Sequence, residues 1–245
     1  MNIGILRERK NPPDERVPFT PGQCVELKKI TGMGVRVESS PIRRISDDEY
    51  TNEGIKVTKD VSDCDILFGV KEVPISNLIP EKTYFFFSHT IKKQPYNREL
   101  LKAILQKNIT LIDYECLTAT NGMRLTGFGK YAGMVGAYNA LRTYGIKHNR
   151  FELPQAFACH DAEEMWSNLD HVDLGKPRIV LTGAGRVARG AMLTLDRAGF
   201  RKVEIDEYFA DPNCGSVYVQ LHPRQYFQRR DGGEGNLKDI VSNPA

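Results

Sequence analysis

The stretch RIVLTGAGRVARGAMLTLDRAGFRKVEID, residues 178–206, places a glycine-rich turn between an apolar run and an amphipathic run. Residues 178–182 predict a strand, residues 186–199 a helix and residues 202–206 a second strand. At the turn, Gly183, Gly185 and Ala188 form the pattern G-x-G-x-x-A. A strand, a glycine turn, a helix and a strand in this order are typical of a βαβ unit in a parallel sheet.

We predict that this turn binds the pyrophosphate of a dinucleotide. The first glycine allows a tight turn, the second lets the backbone approach the phosphates, and the helix start faces the negative charge. The predicted cofactor-binding residues are Gly183, Gly185, Arg186, Val187 and Asp206. Asp206 follows the turn by roughly 20 residues, where a carboxylate binds ribose hydroxyls and repels a 2′-phosphate, so NAD is expected rather than NADP. The alternative is that the glycines serve only close packing.

The first 130 residues predict another parallel sheet, because short apolar runs alternate with amphipathic ones. Strands are predicted at 2–6, 34–39, 65–70, 83–88 and 109–114, and helices at 21–32, 97–108 and 130–145. The fold class is therefore α/β, with two Rossmann-like domains that contain parallel sheets. Residues 1–129 are the predicted substrate domain, and residues 130–245 a connecting helix and a partial NAD-binding domain. Only 62 residues follow Gly183, so this second domain is expected to be incomplete.

The composition excludes several classes of protein. Of the 245 residues, 40% are hydrophobic and 27% charged, which is typical of a globular protein. The net charge of +3 is spread over segments of both signs, so no nucleic-acid partner is predicted. No apolar run has the length of a signal peptide or membrane span, which favours the cytoplasm. The scattered cysteines, Cys24, Cys64, Cys116, Cys159 and Cys214, predict reduced thiols and no metal site.

Side chains that can accept or donate protons follow two of the predicted strands. Lys71 comes directly after the strand at 65–70, and His89 directly after the strand at 83–88. Ligands of open α/β sheets bind outside the carboxyl ends of the strands. Partial burial and nearby cations lower the pKa of an ammonium group, so a lysine there can accept a proton near neutral pH. These two residues are the candidate catalytic pair; the alternatives are a lysine that reaches solvent and a histidine satisfied by a backbone carbonyl.

Further polar residues are candidates for substrate binding. Arg16 lies in a proline-rich loop after the first strand and Arg124 follows a predicted turn, and either guanidinium could bind a carboxylate through two hydrogen bonds. Lys92 adds a cation near the histidine, and Glu115 directly follows residues 109–114 at the end of LIDYE, where it could pair with the lysine or the histidine. Exposed arginines and a solvated turn are the alternatives.

Several motifs along the chain occur together in one known family. They are DERVPFTP, GVKEVP, YFFFSHTIKKQ, LIDYE, MRLTGFGKYAGMVG and TGAGRVARGA. With these motifs the chain resembles the saccharopine dehydrogenases and the lysine–2-oxoglutarate reductases, within the wider alanine dehydrogenase and transhydrogenase superfamily. The resemblance runs from residue 1 to roughly residue 230.

The resemblance implies an NAD-dependent oxidoreductase that acts on a small amino-acid substrate. It would oxidise the secondary amine of saccharopine, or of a related amino acid, to an imine that hydrolyses to lysine and 2-oxoglutarate, or run the reverse reaction. By motif match, Lys71 and His89 would be the acid–base pair, and Arg16 and Arg124 would hold substrate carboxylates. Two alternatives stay open: alanine dehydrogenase-like oxidation, and a non-catalytic module that binds an amino acid or a nucleotide. An incomplete sheet also favours a homo-oligomer.

Overall fold

The structure, a computed structural model, describes residues 1–210 and 215–227. The chain divides into two compact units, Met1–Gly127 and a second unit that begins at Phe128. In these ranges no helix has both the length and the apolar character that crossing a membrane requires. Four cysteines are free thiols, namely Cys24, Cys64, Cys116 and Cys159. Cys214, also predicted to be reduced, lies outside the described residues.

A six-stranded parallel sheet forms the centre of the first unit. Its strands are β1 (Asn2–Ile5), β2 (Gly34–Glu38), β3 (Lys56–Thr58), β4 (Ile66–Phe68), β5 (Thr83–Phe86) and β6 (Thr110–Asp113). Across the sheet they follow the order β3-β2-β1-β4-β5-β6. All five predicted strands are present, each somewhat shorter than its apolar run. β3 is an additional strand at the edge of the sheet, which the apolar pattern does not predict.

Both faces of this sheet are buried. The alternation of β4 shows it, because Leu67 packs into one hydrophobic cluster while its neighbours Ile66 and Phe68 pack against another. Helices cover the sheet: α1 (Pro21–Thr31), α2 (Asp47–Asn52) and α3 (Arg98–Gln106). α1 begins with a capping box in which the side chains of Thr20 and Gln23 bond each other's backbone N–H groups. Continuous apolar strands are thus explained by two covered faces, as expected for a parallel sheet.

A smaller parallel sheet organises the second unit. Its elements are α4 (Gly129–Lys147), α5 (Ala162–Asp170), β7 (Arg178–Thr182), α6 (Arg186–Arg197), β8 (Arg201–Val203), α7 (Ile205–Ala210), β9 (Val217–Leu221) and α8 (Pro223–Tyr226). The strands follow the order β7-β9-β8. The prediction of an α/β protein with two parallel sheets is confirmed, and the helix predicted at 130–145 is α4.

The end of the predicted βαβ unit differs from the expectation. β8 ends at Val203, so Asp206 does not end a strand but lies in the first turn of α7. β9 pairs with both β7 and β8 and therefore separates them. The strand beside the glycine turn is thus β9, whose last residue, Leu221, accepts a hydrogen bond of 2.8 Å from the Gly183 N–H. The strand order β7-β9-β8 depends on long-range pairing that periodicity does not encode.

Two glycines bring α4 and α6 into backbone contact. A Cβ atom on Gly133 would lie 1.9 Å from the carbonyl oxygen of Val187, and one on Gly190 would lie 1.9 Å from that of Lys130. Any side chain at either position would therefore force the helices apart. Thr194 of α6 is fully buried and donates its hydroxyl to the Met134 carbonyl of α4 at 3.1 Å. Close packing of α4 thus fixes the helix that follows the glycine turn.

Candidate functional site

The sheet order of the first unit defines where a ligand is expected. From β1 the chain runs outward to β2 and β3 on one side and to β4, β5 and β6 on the other. The crevice at such a reversal, outside the carboxyl ends of the two central strands, is the usual binding place in open α/β sheets. Glu8 follows β1 and Lys71 follows β4 at this point. The sheet order in the structure and the carboxyl-end rule applied to the sequence therefore both point to Lys71.

A cluster of charged side chains surrounds His89. The imidazole Nδ1 lies 3.1 Å from Glu115 Oε2 and 3.1 Å from the Lys92 ammonium. On the opposite side of the ring, Nε2 lies 3.8 Å from Glu72 Oε1. The histidine is only 20% exposed, and Glu115 is 7% exposed. Both ring nitrogens therefore face carboxylates, and Nδ1 also faces the Lys92 ammonium.

Glu115 joins three of the predicted site residues. Its Oε1 atom lies 3.4 Å from the Lys92 ammonium and 3.3 Å from the Arg124 guanidinium. Burial raises the pKa of Glu115, but hydrogen bonds from His89 and Lys92 outweigh it, so the pKa lies below the ordinary value of 4.5. The carboxylate is therefore ionised at neutral pH. The structure thus brings four predicted residues into one cluster: His89, Lys92, Glu115 and Arg124.

Lys71 directly precedes Glu72, the residue whose carboxylate faces His89 Nε2. Its backbone N–H donates to Glu8 Oε2 at 2.9 Å, and the preceding N–H, of Val70, donates to Glu8 Oε1 at 2.7 Å. Burial raises the pKa of Glu8, although the two backbone hydrogen bonds partly offset that effect. In the part of the chain that the structure describes, no carboxylate lies within ion-pair distance of the half-buried Lys71 ammonium. That ammonium is thus available to a ligand.

Glu72 is a site residue that sequence reasoning missed. Its Oε2 atom accepts a hydrogen bond of 2.7 Å from the Lys10 ammonium. Its Oε1 atom is buried, accepts no hydrogen bond from the described residues, and is the atom 3.8 Å from the His89 ring. A buried carboxylate oxygen without a donor is costly, so this atom is a place where a ligand N–H would bind favourably. The one available signal was its position directly after Lys71 at a strand end.

Arg16 already has a partner within the protein. Its guanidinium donates two hydrogen bonds to the carboxylate of Asp14, one of them from Nε at 2.8 Å. The Arg16 hydrogen bond holds the pKa of Asp14 below its usual value, and the charge of Lys71 contributes in the same direction. The charge of Lys71 thus acts, from beyond ion-pair distance, on the carboxylate that Arg16 binds. The planar guanidinium, with its five N–H donors, has the geometry with which arginine binds carboxylates.

The glycine turn of the second unit is the candidate place for the pyrophosphate of a dinucleotide. Gly183 has a φ of +89°, which favours glycine, and a Cβ atom at Gly183 or Gly185 would meet no atom within 4 Å. Space for a ligand therefore lies over the turn, and no side chain caps the start of α6. Arg186 and Val187 are the first residues of α6, and the first turn of an α-helix contains no backbone acceptor for its own N–H groups. This arrangement is that of an anion site at a helix start.

Asp206 is not brought to this turn by strand pairing. It lies in α7, after β8, and β9 separates β8 from the strand that carries the turn. His222 follows β9 directly and takes the place beside the turn.

Over the described ranges, no group of three or more histidine, cysteine or acidic side chains is arranged to hold a metal ion.

Comparison with known proteins identifies related chains. The model of the family "Alanine dehydrogenase/PNT, N-terminal domain" matches residues 4–135. The chain is 37% identical over 172 residues to an alpha-aminoadipic semialdehyde synthase of Arabidopsis thaliana, a match that covers 68% of this chain and 16% of the relative. It is 28% identical over 223 residues to a saccharopine dehydrogenase (NAD(+), L-lysine-forming) of Candida glabrata, covering 82% of this chain and 58% of the relative.

A solved structure shares the fold. An L-alanine dehydrogenase superposes with a TM-score of 0.55 at 17% identity, covering 90% of this chain and 61% of that one. The chain therefore spans less than two thirds of the length of each of these relatives. The family match covers more than half of the chain and includes every residue of the cluster around His89. The chain belongs to the alanine dehydrogenase/PNT N-terminal domain family.

Proposed function

We propose that this chain forms the substrate site and part of the cofactor site of a nicotinamide-dependent amino-acid dehydrogenase of the saccharopine dehydrogenase type. The observation that carries the proposal is the cluster at the carboxyl ends of β4, β5 and β6. There an ammonium without an ion pair, Lys71, lies one residue from a carboxylate that faces His89. Relatives named as saccharopine dehydrogenase and alpha-aminoadipic semialdehyde synthase support the same reaction class.

Each residue of the cluster has a role in this proposal. Lys71 would accept the proton of the secondary amine of saccharopine, and His89 would transfer protons as water adds to the resulting imine. Glu115 would stabilise the imidazolium through its hydrogen bond to Nδ1. A bound nicotinamide would supply the chemistry of hydride acceptance from the carbon beside the nitrogen. The reverse proton transfers would serve the reductive direction, which forms saccharopine from lysine and 2-oxoglutarate.

Carboxylate recognition fits the cations around the cluster. Arg16, Lys92 and Arg124 all have exposed side chains in the first unit, and each already contacts one carboxylate of the protein. A substrate with several carboxylates could add to or replace these contacts, because guanidinium and ammonium groups bind carboxylates through charge-assisted hydrogen bonds. Alanine has only one carboxylate and would use fewer of them. This difference favours saccharopine over alanine as the substrate.

Nucleotide choice needs its own test. The residues Gly183, Gly185, Arg186 and Val187 fit the pyrophosphate of either NAD or NADP. We retain NAD as the proposed cofactor, although Asp206 is not on the strand beside the turn. Calorimetric titration of the 245-residue chain with NADH and with NADPH tests this. Tighter binding of NADPH would refute the choice of NAD, and loss of the difference in an Asp206→Ala variant would show that Asp206 acts despite its position.

The reaction itself is tested by turnover. Reduction of NAD is followed in the presence of saccharopine or alanine, with the wild-type chain and a Lys71→Met variant. We expect faster turnover with saccharopine and a loss of about 100-fold or more in the variant, because a general base contributes about that much. Lys59→Met is the matched control, since Lys59 is exposed and lies after β3, away from the cluster. Equal turnover by the Lys71→Met variant would refute the assigned role. Binding of both ligands without turnover would favour the non-catalytic alternative.

A further inference from the structure

We propose that Ser88 and Asp113 are positioning residues that hold His89 and Glu115 together by tying the end of β5 to the end of β6. The proposal rests on the proposed function only in treating the His89–Glu115 pair as the proton-transfer group. Both Ser88 and Asp113 are buried, Ser88 fully so. Their effect on the reaction would therefore pass through the two residues that they hold.

One carboxylate makes both connections. Asp113 Oδ2 accepts the hydroxyl of Ser88, the residue directly before His89. Asp113 Oδ1 accepts the backbone N–H of Glu115 at 2.8 Å. Because Asp113 pairs with Phe86 in the sheet, it lies level with the point where β5 ends. A single buried side chain thus fixes the starting points of both segments whose side chains meet at 3.1 Å.

The backbone at His89 shows why such a tie is needed. His89 has a φ of +56°, in the left-handed region that non-glycine residues rarely adopt. The conformation turns the chain back sharply, and the turn is held by Ser88 Oγ, which accepts the Thr90 N–H at 3.1 Å. The hydroxyls of Ser88 and Thr90 lie 2.8 Å apart, and since Ser88 donates to Asp113, Thr90 is the donor between them. The serine hydroxyl therefore links the strained turn to the neighbouring strand.

Only a carboxylate can do this at position 113. It offers two acceptor oxygens, one for the Ser88 hydroxyl and one for the Glu115 N–H, whereas an amide offers one oxygen and would lose one of the two bonds. An exclusively structural role would be satisfied by any pairing that keeps β5 and β6 together. The positioning role requires in addition that the distance between the imidazole and Glu115 depends on these bonds.

The test compares Ser88→Ala with a matched serine in the same unit. Ser39 donates to Asp47 at 2.6 Å, at the carboxyl end of β2, so Ser39→Ala removes the same kind of bond away from His89. The ring nitrogen resonances of His89 are recorded by NMR and assigned by their loss in His89→Gln. The titration of the Glu115 carboxyl carbon is recorded and assigned in the same way with Glu115→Gln. The groups facing this pair are Glu72, Lys92 and Arg124, and neither serine variant changes them.

We expect Ser88→Ala to change the His89 ring resonances and to raise the pKa of Glu115 toward its ordinary value, because the histidine hydrogen bond helps to lower it. Ser39→Ala should leave both unchanged. Asp113→Asn should act like Ser88→Ala, and Ser88→Ala separates the effect of position from the loss of charge at residue 113.

The proposal is overturned if Ser88→Ala lowers the thermal stability of the chain but leaves the His89 resonances and the Glu115 titration as in the wild type. These readouts need no turnover, so they remain informative if the chain does not oxidise saccharopine. Where turnover is measurable, Ser88→Ala should lower kcat at least 5-fold and leave KM within 2-fold, since the carboxylate-binding cations are untouched. An equal loss in Ser39→Ala would also contradict a specific positioning role.

Discussion

Replacement of Gly133 by alanine is expected to destabilise the second unit. The new Cβ atom would lie 1.9 Å from the Val187 carbonyl oxygen and 2.7 Å from the Ala191 nitrogen. Carbon and carbonyl oxygen atoms in close contact are usually about 3.3–3.6 Å apart, so the helices must separate by more than about 1 Å. Both obstructing atoms belong to the backbone of α6, and no side-chain rotation can relieve the overlap.

The magnitude follows from two opposing effects. Overpacking of a close interface costs about 3 kcal/mol or more when the obstructing atoms cannot move aside. Alanine in place of glycine inside a helix stabilises the helix by about 1 kcal/mol. The expected net loss is therefore about 2 kcal/mol or more, which lowers the melting temperature of a chain of this size by about 4–8 °C. Gly136 is the matched control on α4, because a Cβ atom there meets nothing within 4 Å. Gly136→Ala should raise stability by up to about 1 kcal/mol.

The single tryptophan of the chain provides the assay. Trp166 donates its indole N–H to Thr194 of α6 at 3.1 Å, and Thr194 donates to Met134 of α4 at 3.1 Å. Tryptophan fluorescence during thermal or urea unfolding therefore reports on the contact between these helices. A Gly133→Ala variant with the wild-type midpoint would refute the reasoning. So would a Gly136→Ala variant that lost as much stability as Gly133→Ala, because the effect would then not come from the overlap.

Three further changes test contacts of the first unit by urea unfolding. Glu8→Ala leaves two backbone N–H groups without an acceptor and should cost about 2 kcal/mol or more; an unchanged midpoint would show that water replaces the carboxylate. Arg43→Lys should lower the free energy of unfolding by about 1–3 kcal/mol, because a lysine cannot reproduce the separate guanidinium hydrogen bonds to Ile45, Glu38 and Asp47. A variant as stable as the wild type would show that these three hydrogen bonds do not stabilise the fold. Glu115 has a lowered pKa, so its ionised form stabilises the fold above the ordinary value of 4.5 and that contribution is lost as pH falls through the lower folded value. The stability difference between wild type and Glu115→Gln should therefore shrink between pH 6 and pH 3, and a constant difference would contradict the assignment.

Local sequence patterns predict most of the first unit. β1, β2, β4, β5 and β6 each coincide with an apolar run, because both faces of the sheet are covered. Pro21 at the start of α1 and Gly32 after its end mark that helix correctly, and Gly32 has the expected positive φ of 68°. β3 was missed because it has three residues, Lys56–Thr58, and none of them is fully buried. An edge strand of this kind carries too little apolar pattern to be recognised.

The candidate site was predictable only in part, for a physical reason. His89, Lys92 and Glu115 follow neighbouring strands, and the carboxyl-end rule alone places them together. Glu8 and Glu72 act through contacts with residues about 60 positions away along the chain, namely the Val70 backbone and the Lys10 ammonium. The periodicity of apolar residues along the chain does not predict such long-range contacts. The strand predicted to end at Asp206 ends at Val203, and Asp206 lies in α7. The insertion of β9 between β7 and β8 is likewise a long-range pairing that local patterns do not encode.

The central position of β9 also constrains the order in which the second sheet can assemble. In the described residues, β7 and β8 each pair with β9 and not with each other. During synthesis, therefore, neither strand acquires a ladder partner in this sheet until residues 217–221 have left the ribosome. The six-stranded sheet, by contrast, is complete once β6 has been made, about 100 residues earlier. We expect a nascent chain to hold a folded first unit while β7 and β8 are still unpaired, a stage at which their open edges are exposed to chaperones and to misassembly.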